Sequence, residues 1–156
     1  MSGTLVVLSL WETEQDMKAS ESAATKVRQE AVGVTGGTAT VETFEQVVED
    51  IGATPPGPGC LLRVTRIKMD PARVDDNIAY FRSEIVPRMK AMPGFRGVRN
   101  MIDRATGRGA VGTVWADEAS MQAADLAAEQ RRQEAASRGV ELVEESARVV
   151  LFSQPA

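Results

Sequence analysis

The chain has no histidine among its 156 residues. Ser/His and Cys/His nucleophile pairs, histidine metal clusters, histidine haem ligation and histidine general bases are therefore all excluded. Its one cysteine, Cys60, leaves no partner for an intrachain disulfide and points to a reducing, cytoplasmic setting. No apolar run approaches the roughly 20 residues that a membrane span needs, and no basic start followed by an apolar stretch and cleavage site marks a signal peptide. Aromatic residues are scarce, at 4%, but 43% of the chain is hydrophobic. That composition and length permit a real core in one domain, or in one small domain with an accessory piece.

Charge is unevenly placed. Residues 1–59 hold three bases and nine acids, residues 60–110 eleven bases and five acids, and residues 111–156 four bases and eight acids. A basic middle third can meet an anionic ligand or nucleic acid. With an overall net charge of −4 and arginines scattered along strands, compensation between neighbouring segments is the expectation. No nucleic-acid or membrane partner is expected.

Residues 51–60 carry three prolines and three glycines, a composition that supports neither helix nor ladder and reads as a linker. It separates residues 1–50 from residues 61–156. In the second part Leu61–Met69 reads as a strand, with Arg63 on the same face as Leu61, Thr65 and Ile67. Asp70-Pro71 supplies an N-cap and a first-turn proline. Val74, Ile78, Phe81, Ile85, Met89 and Met92 then form a helical stripe, with a bend expected at Pro87 and a stop at Pro93-Gly94. Phe95–Asp103 and Gly109–Ala116 read as strands joined by the turn around Gly107. Asp117 caps an alanine-rich helix ending near Gly139, and Val140–Phe152 reads as the last strand.

The order strand, helix, strand, strand, helix, strand is the split double βαβ of the α+β ferredoxin-like fold. Its spatial order is fourth, first, third, second strand.

Residues 1–50 repeat the end of this module. With Trp11 set against Trp115, an offset of 104, ten of twenty-one consecutive positions are identical, among them Met17/Met121, Arg28/Arg132 and Gln29/Gln133. The repeat supplies only a third strand, second helix and fourth strand, so a neighbouring strand must come from elsewhere. It is supplied by another chain, by rearranged pairing with residues 61–156, or by about fifty residues upstream of Met1. A truncated or misassigned start is the expectation.

Residues 61–156 resemble the antibiotic biosynthesis monooxygenase-like (ABM) family of dimeric α/β barrels. The resemblance rests on Pro87 followed by Met92-Pro93-Gly94-Phe95, and on Val111-Gly-Thr-Val-Trp115 followed by Asp117-Glu118-Ala119-Ser120-Met121. Residues 1–50 resemble the matching half-module through Leu8-Ser-Leu-Trp11 and Thr13-Glu14. The resemblance implies two modules packed sheet to sheet in a barrel, hence a homo-oligomer, and a ligand pocket between each sheet and its helices. It implies a cofactor-independent monooxygenase acting on a small aromatic or polyketide-like substrate, with no metal and no cofactor. The alternative is a non-catalytic small-ligand-binding or regulatory protein using the same cleft. Haem-degrading relatives ligate iron through a histidine on the second helix and place an asparagine on the first strand. Both are absent here.

The candidate catalytic residues are Trp115, Arg99, Asn100 and Tyr80: Trp115 as pocket wall or donor, Arg99 or Asn100 as donor to an enolate, Tyr80 as proton relay. Arg63, Asn77, Phe81, Met89, Phe95 and Met121 are the candidate ligand-binding residues. Arg63 stands out because an unpaired charge on a central strand is costly, so it either pairs with an acid or meets an anion. Against each stands a plainer reading: core packing for the apolar residues, surface or ion-pair positions for the polar ones. Thr106-Gly-Arg-Gly109 is a hairpin turn with no helix after it, Glu129–Glu134 reads as a solvated helix face, and Cys60 has no evident base beside it.

Overall fold

The computed structural model describes residues 6–150, except the side chains of 147–149. It divides into two compact units, the first extending to Glu42 and the second beginning at Thr43.

The first unit is built on helix α1, Glu14–Thr35. Thr13 caps its start by accepting from the Asp16 N–H, and Gly36, in the left-handed region, ends it by donating to the Val32 carbonyl. Residues 6–11, expected as the opening strand of the half-module, carry no strand. A strand needs a hydrogen-bonded neighbour, and the one that the repeat lacks is the one that would have served it.

The second unit holds a five-stranded antiparallel sheet: β1 Glu45–Ile51, β2 Leu61–Lys68, β3 Phe95–Asp103, β4 Arg108–Trp115 and β5 Glu141–Val149. Its order, β1-β3-β4-β2-β5, contains the expected ferredoxin-like arrangement with β1 added beside β3. The predicted last strand runs on to Phe152, and residues 151 and 152 lie outside the described residues. Within this chain the second strand of the half-module finds its neighbour in residues 61–156: β1 runs antiparallel to β3, Glu49 opposite Arg99. The pairing also accounts for the charge asymmetry. Glu45, Glu49 and Asp50 on the acidic β1 meet Arg104, Arg99 and Lys90 of the basic middle third.

Between β2 and β3 the chain makes a helical rod. Asp70 accepts from the Ala72 N–H and a tight turn, Pro71–Arg73, opens it. Helix α2, Val74–Tyr80, passes through a π-turn, Phe81–Ile85, into α3, Val86–Lys90. The predicted disturbance at Pro87 is therefore a widened turn just before it, where the Val86 N–H reaches back to the Phe81 carbonyl. Proline has no N–H to continue the ladder, and a π-turn is a common accommodation. Helix α4, Glu118–Ser137, starts at Asp117, whose carboxylate accepts from both the N–H and the hydroxyl of Ser120. Gly94, at φ 79°, lets the β3 entrance lie against that start, since a Cβ there would stand 2.0 Å from the Ser120 hydroxyl.

The helices pack on one face of the sheet. Val74, Ile78, Ile85 and Met89 of the rod meet Val98 and Ile102 of β3 and Trp115 of β4 in the core. The other face carries Leu62, Val64, Met101 and Val114, all half-buried.

Candidate functional site

A cavity of about 170 Å³ lies between the sheet and the helices of the second unit. Sheet residues Thr65, Ile67, Val111 and Trp115 form one wall, with Phe81, Ile85 and Met89 of the rod facing them. The third wall is α4. Met121, Ala124, Ala128, Arg131, Ala135 and Arg138 recur at helical spacings of three and four, so they share one face. Met121 fills its space and is buried, whereas Ala124, also buried, and the alanines and arginines beyond it line the cavity. Methyl side chains at those positions leave the space open.

Seven of the ten candidate residues line this cavity: Trp115, Asn100, Tyr80, Arg63, Asn77, Phe81 and Met89. Trp115 is 2% exposed; its indole N–H donates to the Thr113 hydroxyl at 3.1 Å and its ring meets Phe95 edge-on, centroids 5.7 Å apart. It serves as a wall, its one donor already engaged. Asn100, 3% exposed, has a side-chain carbonyl oxygen with no hydrogen-bond partner, and Arg63 has a buried Nε in the same condition. Uncompensated burial of such groups costs about 1–3 kcal/mol each, which makes them conspicuous beside the apolar walls.

Three candidates lie elsewhere. Phe95 is in the core against Trp115, and Met121 is buried at the start of α4. Arg99 lies on the opposite face of the sheet from Asn100 and binds Glu49 of β1 through Nε at 2.8 Å.

Charged groups are paired beside the cavity at two places. Arg63 pairs with Asp125 of α4 and lies 3.8 Å from Glu145 of β5, which in turn takes Arg132 at 3.2 Å and the Thr65 hydroxyl at 3.3 Å. Elsewhere the Tyr80 hydroxyl donates to Glu134 at 2.8 Å, Arg88 donates to the same carboxylate, and Arg138 stacks 4.1 Å above the Tyr80 ring while its Nε reaches Asn77 at 3.3 Å. The hydrogen bond to Glu134 raises the Tyr80 phenol above its ordinary range, with burial adding to it. The same bond, helped by Arg88, holds Glu134 below the usual carboxylate range. Tyr80 thus keeps its proton at neutral pH and Glu134 stays ionised. Burial lowers the Arg131 guanidinium, and the neighbouring charges of Arg132 and Arg88 act in the same direction.

The residues that sequence reasoning did not single out are Arg131, Arg132, Arg138 and Glu134. The expected solvated face of α4 at 129–134 is in fact divided: Arg131 and Arg132 turn to the cavity, and Glu134 reaches across to the rod. The signal was the stripe from Met121 to Arg138, with arginine at two of six inward positions. Among the described residues no group of histidine, cysteine, aspartate and glutamate side chains is arranged to hold a metal ion. Nor is any described helix long and apolar enough to cross a membrane.

The fold is that of the dimeric α/β-barrel proteins. In the structures it resembles, the chain superimposes on a Fusobacterium nucleatum protein described as a putative monooxygenase with a TM-score of 0.60 and 13% identity, covering 87% of this chain and 63% of that one. It superimposes on a major regulator of staphylococcal pathogenesis with a TM-score of 0.53 and 11% identity over 77% and 76% of the two chains. At such identities the likeness concerns the fold alone. In sequence, no family model matches. The chain is 31% identical to the uncharacterized Mycobacterium tuberculosis protein Rv2557 over 107 residues, 69% of this chain and 47% of the relative. It is 26% identical to Rv2558 of the same organism over 145 residues, 92% of this chain and 61% of the relative. The chain thus spans about half to three fifths of the length of these curated relatives.

Proposed function

We propose that the second unit is an ABM-like, cofactor-independent monooxygenase whose substrate is a small phenol or enol. The observation that carries this reading is the pair of unpartnered buried atoms on residues lining one apolar cavity: an acceptor on Asn100 and a donor on Arg63. A hydroxyl group offers the complementary donor and acceptor. Once it loses its proton, the Arg63 N–H can stabilise the oxyanion against the apolar walls. The carbon conjugated to that oxyanion then gives an electron pair to dioxygen and a peroxide forms on it. Loss of water from the peroxide leaves a carbonyl, one oxygen atom in the product and the other in the water. The substrate is the reductant, so no further electron donor enters.

Tyr80 and Glu134 are the candidate relay for the departing proton. With Glu134 held acidic, the relay accepts readily only from an acidic substrate, so turnover is expected to rise with pH as the substrate ionises. The weak basicity of Glu134 also favours a second reading, a cavity that binds ligand without chemistry. The volume, about 170 Å³, is close to the 150 Å³ or so of an engineered cavity that binds benzene, which directs the test toward one- and two-ring compounds.

The test is oxygen uptake by the purified protein across phenols of one to three rings. Uptake that falls steeply in Trp115→Ala and Asn100→Ala, and persists in Arg99→Ala on the far face, is expected. No uptake by the unaltered protein, with ligand binding retained, would establish the second reading instead.

A further inference from the structure

Arg131 and Arg138 line the cavity from α4, yet among the described residues neither forms an ion pair. Arg131 is half-buried and donates to the Ala124 carbonyl at 2.9 Å; Arg138 reaches the Asn77 side chain and the Asp76 carbonyl and lies flat on Tyr80. Their hydrogen bonds go to neutral groups, with Asp125 and Glu134 acting on Arg131 only at longer range, while the other cavity arginines, Arg63 and Arg132, are paired directly with Asp125 and Glu145. The lining therefore carries two guanidinium charges in excess.

Helix packing does not demand them. In the internal repeat, the positions 104 residues earlier are Val27 and Val34, exposed on a helix of similar length with the same kind of N-cap. Arginine stands in the place of valine in the copy that lines this cavity. A half-buried cation with no direct ion pair is costly, and guanidinium groups match carboxylates in a bidentate geometry.

We infer that the cavity binds a small aromatic or enolic hydroxy acid, its hydroxyl toward Asn100 and Arg63 and its carboxylate taken by Arg131 and Arg138. The apolar walls hold the ring, and the ligand supplies the missing charge. This rests on the cavity being a ligand site, as proposed above, but not on oxygen chemistry taking place there.

The experiment is isothermal titration calorimetry of the full chain with para-hydroxybenzoate, benzoate and phenol. Para-hydroxybenzoate is expected to bind at least about tenfold tighter than either fragment. Arg131→Val and Arg138→Val, each carrying the residue of the repeat, should lose about tenfold for para-hydroxybenzoate and nothing for phenol. Arg131→Lys, which keeps the charge, should retain a preference for the acid over phenol, and circular dichroism on each variant confirms folding. Equal affinity for phenol and para-hydroxybenzoate, unchanged affinity in both folded valine variants, or no binding of any probe overturns the inference. Binding of the acid without oxygen uptake leaves it standing and removes the oxygenase reading. Oxygen uptake on phenols with no gain from a carboxylate does the reverse.

Discussion

Replacing Asn100 by leucine should make the protein more stable and less functional. The Asn100 carbonyl oxygen is buried without a partner, in a side chain only 3% exposed. Stranding such an acceptor costs about 1–3 kcal/mol, whereas an apolar group of similar shape carries no such penalty. Leucine branches at the same atom as asparagine. Its additional volume faces the cavity of about 170 Å³ and not a filled core, so the usual overpacking cost is small. The expected net gain is about 1–2 kcal/mol, or roughly 4–9 °C in Tm for a domain of this size. In urea the midpoint should rise with the slope unchanged. Binding of hydroxylated ligands should weaken in the same variant, because leucine accepts no hydrogen bond. A lower midpoint would refute the premise that this oxygen is unsatisfied. A higher midpoint with undiminished ligand binding would refute its assignment to the site.

Two further predictions follow from local geometry. Tyr80 is the chain's single tyrosine, so ultraviolet absorbance follows its ionisation alone. The midpoint should lie above 10 and fall in Glu134→Gln, which removes the charge that opposes ionisation. Because the folded phenol titrates above its unfolded value, stability should hold up to about pH 10 and decline as pH rises through the folded midpoint; a midpoint at the ordinary value would contradict the Tyr80–Glu134 bond. Gly107, at φ 68°, would place a Cβ 1.9 Å from the Met69 carbonyl oxygen, an oxygen belonging to rigid backbone. Gly107→Ala should therefore destabilise by more than about 1 kcal/mol, measured by denaturant unfolding. A neutral result would show that the β3–β4 turn can shift.

Most of the fold between residues 61 and 150 was legible because its signals are local. Asp70 and Asp117 cap where capping residues were read, the stripe from Val74 to Met89 faces the core, and the strand order follows from the element order. The place of β1 was not legible, since pairing with β3 is a choice between distant segments. The site was half legible for a more specific reason. From Phe95, strict alternation puts Arg99 on the same side as Phe95 and Asn100 on the other. A bulge between Phe95 and Gly97 inserts one residue and exchanges the faces, so Val98, Asn100 and Ile102 turn toward the helices with Phe95 and Arg99 turns away. Nothing in the sequence from Phe95 to Gly97 declares that bulge. The alanines of α4 misled differently. They read as helix formers, whereas in the structure their small size is what keeps the cavity open.

That alanine face separates the protein's foldability from its choice of ligand. The sheet wall of the cavity belongs to the core and tolerates little change, but Ala128 and Ala135 border empty space on a helix already nucleated and capped by Asp117. A larger residue at either position shortens the chamber from one side without disturbing a strand. Pocket length can thus drift through single substitutions on one helix, so closely related chains with the same fold and the same buried Trp115 can diverge in the ligands they accept.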